Sequence, residues 1–135
     1  MIGDTLAREL RSAGLVWRPA SGDTFAIDRA ELTGERFTVS DMTIEPHEFD
    51  TGTILGFNGT TEWALDSLAL EDALWIPRED QLRELLGGAF RHLARTADGY
   101  RVTVVLSGEE HFFDDVDAAT AYGRALLSVI GASVS

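Results

Sequence analysis

Residues 97–113, ADGYRVTVVLSGEEHFF, contain the most regular pattern of the chain and decide its class of fold. The first three residues are typical of a tight turn between two strands. Over residues 100–106, apolar side chains recur at every second position, as in a half-buried strand. Ser107-Gly108 predicts another turn, and residues 111–113 predict a short third strand. The stretch therefore predicts neighbouring antiparallel strands.

The first helix is predicted from its two ends. Asp4 is a natural N-cap, and Gly14 stands where a left-handed residue ends a helix. Apolar residues between them recur at helical spacing, so we expect a helix over residues 5–13. In a Schellman ending, Leu10 and Leu15 would then meet across the helix end.

Two further helices are predicted in the second half of the chain. Pro77 suits a first helical position and Gly87 suits a helix end, which predicts a helix over residues 78–86. Its predicted buried stripe is Leu82, Leu85 and Leu86. Asp117 is expected to cap the last helix. The apolar stripe of that helix consists of Ala118, Tyr122, Ala125, Leu126, Val129 and Ile130.

Shorter strands are predicted in the first half of the chain. Ser21-Gly22-Asp23 is typical of a turn, and residues 24–27 after it read as a strand. Residues 37–49 look extended, but their alternation changes register at Ser40-Asp41, which predicts a bulge or a turn there. Residues 53–57 predict another strand.

The stretch 56–66, GFNGTTEWALD, raises the question of a reactive loop. Asn58-Gly59 is the dipeptide best suited to a type I′ turn. Residues 60–70 can then continue as a strand or as a helix capped by Thr60, and the helix is preferred. Trp63 packs inward under both alternatives. A nucleophile needs an adjacent base, and no histidine stands near these threonines in sequence, so we interpret the loop as a turn.

These elements predict an α+β fold, with one domain over residues 1–135. We expect a single antiparallel sheet with about three to four helices packed on it. The regular alternation of strand and helix that would indicate a parallel sheet is absent from the pattern.

Composition excludes several classes of chemistry. The chain has 135 residues, no cysteine and a formal charge of −12, and all of its basic residues are arginines. Without cysteine and lysine, thiolate chemistry, a Schiff base and a Walker lysine are excluded. The acidity disfavours nucleic acid as a partner. The first residues do not resemble a signal peptide, and no apolar run has the length of a membrane span. We therefore expect a cytoplasmic protein without a membrane partner.

Two groups of side chains are candidates for metal binding or catalysis. Asp41, Glu45 and His47 would share one face of a straight strand, and their oxygen and imidazole ligands suit a transition metal. His92 and His111 lie on strands that could be neighbours, where a histidine beside carboxylates could act as a general base. The alternative interpretation is that both groups belong to an exposed polar surface without a chemical role. We assign no cofactor.

The aromatic content indicates a different kind of site. Trp17, Trp63 and Trp75 stand among many other aromatic residues, and together they exceed what a minimal core requires. If some of them share an exposed patch, that patch is an interface. The three tryptophans are therefore the interface candidates.

Two long segments carry a family resemblance. Residues 40–68, SDMTIEPHEFDTGTILGFNGTTEWALDSL, and 73–87, ALWIPREDQLRELLG, resemble short actinobacterial proteins commonly labelled as pilus-assembly proteins. Residues 117–130, DAATAYGRALLSVI, are similar to their last helix. The resemblance covers nearly the whole chain. It implies no catalytic residues, because the chain lacks the phosphate loop of the P-loop ATPases to which that label refers.

The function predicted from these observations is non-enzymatic. We expect a small protein-interaction or adaptor domain with an unidentified protein partner, with a homodimer as one form. The alternative is a metal- or small-ligand-binding protein, with hydrolytic activity based on histidine and carboxylate groups as one version. The aromatic content favours the first.

Overall fold

A computed structural model describes residues 1–28, 34–39, 44–49, 52–57, 67–69 and 72–134, and for 44–49, 52–57, 67–69, 133 and 134 it describes the backbone. The elements, in chain order, are α1 (Asp4–Ser12), β1 (Thr24–Ile27), β2 (Phe37–Thr38), β3 (Ile44–Phe49), β4 (Gly52–Phe57), β5 (Ser67–Ala69), β6 (Ala73–Trp75), α2 (Glu79–Leu86), β7 (Phe90–Arg95), β8 (Tyr100–Leu106), β9 (Glu109–Asp115) and α3 (Ala118–Val134). A turn of 3₁₀ helix, Gly87–Ala89, joins α2 to β7.

The chain has an α+β fold, as predicted, but its described strands form more than one sheet, so the expectation of a single sheet is wrong. Its described strands pair antiparallel in sheets of three strands, with the orders β2-β1-β6, β3-β4-β5 and β7-β8-β9. The residues divide into two compact units, one formed by Met1–Val16 with Pro77–Ser135 and the other by Trp17–Ile76. The single domain over residues 1–135 stays a prediction.

In the first unit, the sheet β7-β8-β9 packs one face against α3. The strand predicted at residues 100–106 is confirmed as β8, and Val102 and Val104 are fully buried on this inner face. Phe90 pairs with Val104 and lies on the same face. The centre of its ring is 5.6 Å from the centre of the Tyr122 ring of α3. The turn after β8 is also confirmed: Ser107 and Gly108 both have positive φ, as a type I′ turn requires.

Asp117 caps α3, as predicted. Its Oδ2 accepts hydrogen bonds from the backbone amide of Thr120 at 3.0 Å and from the Thr120 hydroxyl at 2.8 Å. Burial of the Asp117 carboxyl raises its pKa, but the hydrogen bonds from Thr120 and the nearby ammonium of Met1 together lower it more, so the pKa lies below its ordinary value. The centre of the predicted stripe is confirmed, because Tyr122, Ala125 and Leu126 are buried.

The end of α1 is confirmed as a Schellman motif, whereas its start was predicted wrongly. The Leu15 amide donates to the Leu10 carbonyl at 3.0 Å, and Gly14 has φ of +116°. The N-cap is Gly3, so Asp4 is the first residue inside the helix. An acidic residue in the first turn favours the helix dipole equally well, which is why the two roles look alike in sequence.

The prediction for α2 is confirmed in its extent and wrong in two details. Arg78 is the N-cap, and its backbone amide donates to Gln81 Oε1 at 2.9 Å, so Pro77 precedes the helix. Gly87, with φ of +54°, ends the helix as predicted. Leu82 and Leu86 are buried, but Leu85 is 42% exposed. A helix of eight residues packed on one side buries a narrower stripe than the leucine pattern suggests.

In the second unit, the sheet β2-β1-β6 carries an aromatic core. The strand predicted at residues 24–27 is confirmed as β1, and its Phe25 is fully buried. The centre of the Phe25 ring lies 5.4 Å from the centre of the Trp17 ring and 5.6 Å from that of the Phe37 ring. The predicted turn before β1 is confirmed by Gly22, whose φ is +92°, and by the hydrogen bond from the Asp23 amide to the Ala20 carbonyl.

The remaining sheet of this unit is formed by β3, β4 and β5. The extended segments predicted at residues 37–49 and 53–57 are confirmed as β2, β3 and β4. The helix preferred for residues 60–70 is wrong at Ser67 and Leu68, which pair with β4 in strand β5. The predicted Asn58-Gly59 turn, the change of register at Ser40-Asp41 and Trp63 lie outside the described residues.

Candidate functional site

The outer face of the sheet β7-β8-β9 is the candidate site. Side chains alternate between the two faces of a strand, and paired residues share a face. Because Val102 and Val104 face α3, the residues that lie between and beside them face outward. We call this surface the open sheet face, and it consists of His92, Ala94, Arg101, Thr103, Val105, Glu110, Phe112 and Asp114.

Phe112 is the largest apolar side chain of the open sheet face. It is 54% exposed, whereas its neighbour in sequence, Phe113, pairs with the buried Val102 on the inner face. The guanidinium carbon of Arg101 lies 5.2 Å from the centre of the Phe112 ring, within the range of a cation–π contact. The open sheet face therefore presents an exposed aromatic ring with a guanidinium over it.

The same arginine is fixed by a carboxylate. Arg101 Nε and Nη2 donate to the two oxygens of Asp114 at 2.7 and 2.9 Å, which is a bidentate ion pair. The hydrogen bond from Arg101 lowers the pKa of Asp114 below its ordinary value. Both side chains are about half exposed, so solvent screens the pair. Its structural consequence is to orient the guanidinium beside Phe112.

Thr103 lies at the centre of the open sheet face, between His92 on β7 and Phe112 on β9. Its side chain is fully buried, and its hydroxyl has no hydrogen-bond partner within the part of the chain that the structure describes. A buried hydroxyl without a partner costs about 1–3 kcal/mol of stability. Few buried hydroxyls without a partner are found in native proteins, so Thr103 is an unusual residue of this face.

Replacing Thr103 with valine is expected to raise the free energy of unfolding by about 1 kcal/mol, because the change removes the unpartnered hydroxyl and keeps the β-branched shape. Urea unfolding followed by circular dichroism measures the difference. Thr120→Val is the matched control: its hydroxyl donates to Asp117 at 2.8 Å, so the same chemical change is expected to lower stability. A loss of stability in Thr103→Val would show that its hydroxyl has a partner.

The two histidines predicted to be neighbours are separated by β8. His92 pairs with Thr103 on one side of that strand, and His111 pairs with Val104 on the other. Successive residues of β8 point to opposite faces, so the two imidazoles also lie on opposite faces of the sheet. The structure does not bring them together as a catalytic pair. Sequence alone left the strand order open, and the order β7-β8-β9 decides the question.

The predicted metal ligands lie outside what the structure describes. Asp41 and the side chains of Glu45 and His47 are not described, although the backbone places residues 45 and 47 on β3. Among the side chains described elsewhere in the chain, no three metal-ligating residues form a group. The metal site at Asp41, Glu45 and His47 therefore stays a prediction.

The tryptophans have different environments. Trp17 is 8% exposed, and its indole N–H donates to Asp23 Oδ2 at 2.9 Å. Trp75 is half-buried against the aromatic core that contains Trp17 and Phe25. Its indole nitrogen has no partner among the described residues. Trp63 is not described. The interface role of the three stays a prediction, and the burial of Trp17 favours packing at that position.

A groove of about 560 Å³ lies on the first unit between α1, β9 and α3. Most of its wall is apolar, with Leu6, Phe113 and Leu127 among the lining residues. Glu9 and Arg124 contribute charges of opposite sign, and Arg124 Nη1 donates to the Asp114 carbonyl at 2.7 Å. These opposite charges select neither an anion nor a cation, so the open sheet face is the better-defined candidate.

Within the described residues, no helix combines the length and the hydropathy of a membrane span. Comparison of the chain with protein-family models, with curated proteins and with solved structures gives no match. The resemblance to actinobacterial pilus-assembly proteins therefore stays a prediction. The candidate site rests on its geometry alone.

Proposed function

We propose that the chain is a non-enzymatic protein-interaction domain whose binding surface is the open sheet face. The observation that carries the proposal is Phe112, an aromatic side chain that is 54% exposed on a sheet whose other face is packed. Aromatic residues and arginine are enriched where proteins bind one another, and a few such residues supply most of the affinity. Phe112 and Arg101 have these residue types and are in contact.

The arrangement of the side chains around Phe112 also supports a role for this surface in binding. Arg101 Nε donates to Asp114 Oδ1 at 2.7 Å, which orients the guanidinium beside the Phe112 ring before a partner binds. Val105, half-buried beside Glu110, and His92, exposed on β7, extend the surface across the sheet. The surface thus combines an exposed aromatic ring with polar neighbours, and both kinds of residue are found in protein interfaces.

Site-directed photo-cross-linking tests this proposal. A benzophenone-bearing phenylalanine analogue at position 112, in the full chain in its own cells, is expected to form covalent adducts with a protein partner. Position 85 is the matched control, since Leu85 is also an exposed apolar residue, 42% exposed, on α2. Adducts at position 112 alone support the proposal. Equal labelling at both positions, or none at position 112, contradicts it.

A further inference from the structure

The edge strands of the sheet β7-β8-β9 are β7 and β9, and they differ in how well they can pair with another strand. β9 pairs with β8 without a break, from Asp115 opposite Tyr100 to Glu109 opposite Leu106. β7 contains an irregularity, where its register shifts between Phe90 and His92. Bulges protect sheet edges, whereas a regular edge offers a row of backbone donors and acceptors. β9 is therefore the receptive edge.

The charge of β9 selects its partner. Four of its seven residues are acidic. At one end, the Asp114 carboxylate is paired with Arg101 and the Asp114 carbonyl accepts from Arg124. At the other end, Glu109 and Glu110 are exposed and make no ion pair within the described residues. Residues 109–113 are thus the accessible part of the edge, and they are negatively charged.

A second copy of the chain is a poor occupant of this edge. Two β9 strands side by side would place acidic residues against acidic residues, and like charges directly opposite one another are destabilising. The chain as a whole carries a charge of −12, which adds to the repulsion. A partner with lysine or arginine gains from the same charges.

Phe112 connects the edge to the open sheet face. On β9 it points outward, so a strand added next to β9 would place one of its own side chains beside the Phe112 ring on that face. Backbone hydrogen bonds would supply affinity, and the aromatic contact would supply specificity. The sheet would gain a fourth strand without any rearrangement of the first three.

We propose that residues 109–113 bind an extended segment of a partner protein, rich in lysine or arginine, as a fourth strand of the sheet. This inference rests on the proposed function and gives the chemistry of the partner. Binding weakens as ionic strength rises, because exposed charges are screened by salt. The β9 amides that point away from β8 become protected from hydrogen exchange in the complex, while the fold of the sheet is unchanged.

A peptide with alternating valine and lysine, capped at both ends and labelled for fluorescence anisotropy, is the probe. It is expected to bind the full chain and to protect those amides of residues 109–113 that point away from β8. The same peptide methylated on alternate backbone nitrogens keeps its charge but cannot pair as a strand, and it is expected not to bind. Equal binding of the methylated peptide would overturn the inference.

The contribution of charge is tested by reversal. Glu110→Arg is expected to weaken binding of the lysine peptide about fivefold at low salt. Glu84→Arg is the matched control, since Glu84 is an exposed glutamate on α2, and its reversal is expected to leave binding unchanged. Equal weakening in both variants would show that only the net charge acts, and it would overturn the strand site.

The two proposals fail in different ways. If the chain binds no lysine peptide but still forms adducts at position 112, the strand site is wrong and the interaction surface stands. If neither is seen, both are wrong. If sedimentation shows that the chain associates with itself and that Phe112→Asp abolishes the association, the occupant is a second copy, and the basic partner is overturned.

Discussion

Replacing Asp23 with alanine is expected to lower the free energy of unfolding by about 3 kcal/mol. Asp23 is 4% exposed, and its Oδ2 accepts the indole N–H of Trp17 at 2.9 Å and the Ala20 amide at 3.0 Å. Alanine removes the acceptor of the Trp17 indole N–H and the Ala20 amide, and water has little access to this buried position. Denaturant unfolding followed by tryptophan fluorescence measures the loss.

Two further variants separate the role of the acceptor from the loss of charge. Asp23→Asn keeps one side-chain oxygen, so we expect it to retain more than half of the stability that alanine loses. Asp80→Ala removes an exposed carboxylate that pairs with Arg78 at 3.2 Å, and it is expected to cost less than about 1 kcal/mol. If Asp23→Ala and Asp80→Ala had equal effects, the hydrogen bonds of Asp23 would not be what stabilises this turn.

Gly99→Ala is expected to destabilise the first unit by about 2–3 kcal/mol. A Cβ at Gly99 would overlap the backbone oxygen of Asp115 and would lie 2.6 Å from the Val116 Cα. Both obstacles are backbone atoms, so no rotation of a side chain relieves the overlap. Relief requires the chain between β9 and α3 to move.

Gly88→Ala is the control for this change. A Cβ there would meet nothing within 4 Å, and Gly88 is not among the glycines of positive φ. It is expected to leave stability within about 1 kcal/mol of the original, or to raise it, because alanine restricts the unfolded chain. Comparison of thermal unfolding midpoints distinguishes the two variants. A Gly99→Ala variant as stable as Gly88→Ala would show that the close approach is absent in solution.

Local signals in the sequence predicted local structure well. Gly14 predicted the Schellman end of α1, Asp117 predicted the cap of α3, and the alternation in residues 100–106 predicted β8. Each of these features depends on residues a few positions apart. The signals that failed depend on other parts of the chain: Ser67 and Leu68 form a strand because β4 supplies their partner, and the pattern around them also fits a helix.

The open sheet face could be predicted only in part. Phe112 and Phe113 are adjacent in a strand, so one of them must point away from the core. Which one does so depends on the register with β8, where Phe113 pairs with Val102, and a slip of one residue would exchange them. The contact of Arg101 with Phe112 and the isolation of the Thr103 hydroxyl depend on the same register, so the sequence alone could not predict them.

The order in which the chain is synthesised has a consequence for the first unit. Its helix α1 packs on α3, where the Leu6 side chain lies so close that a Cβ at Gly123 would be 2.8 Å from its Cδ2. About 100 residues separate the two helices, so at roughly 5–20 residues per second the ribosome needs about 5–20 s between them. A nine-residue helix is marginal in water without its partner. During this interval α1 is exposed to chaperones and proteases, whereas residues 17–76 have already emerged as one continuous segment.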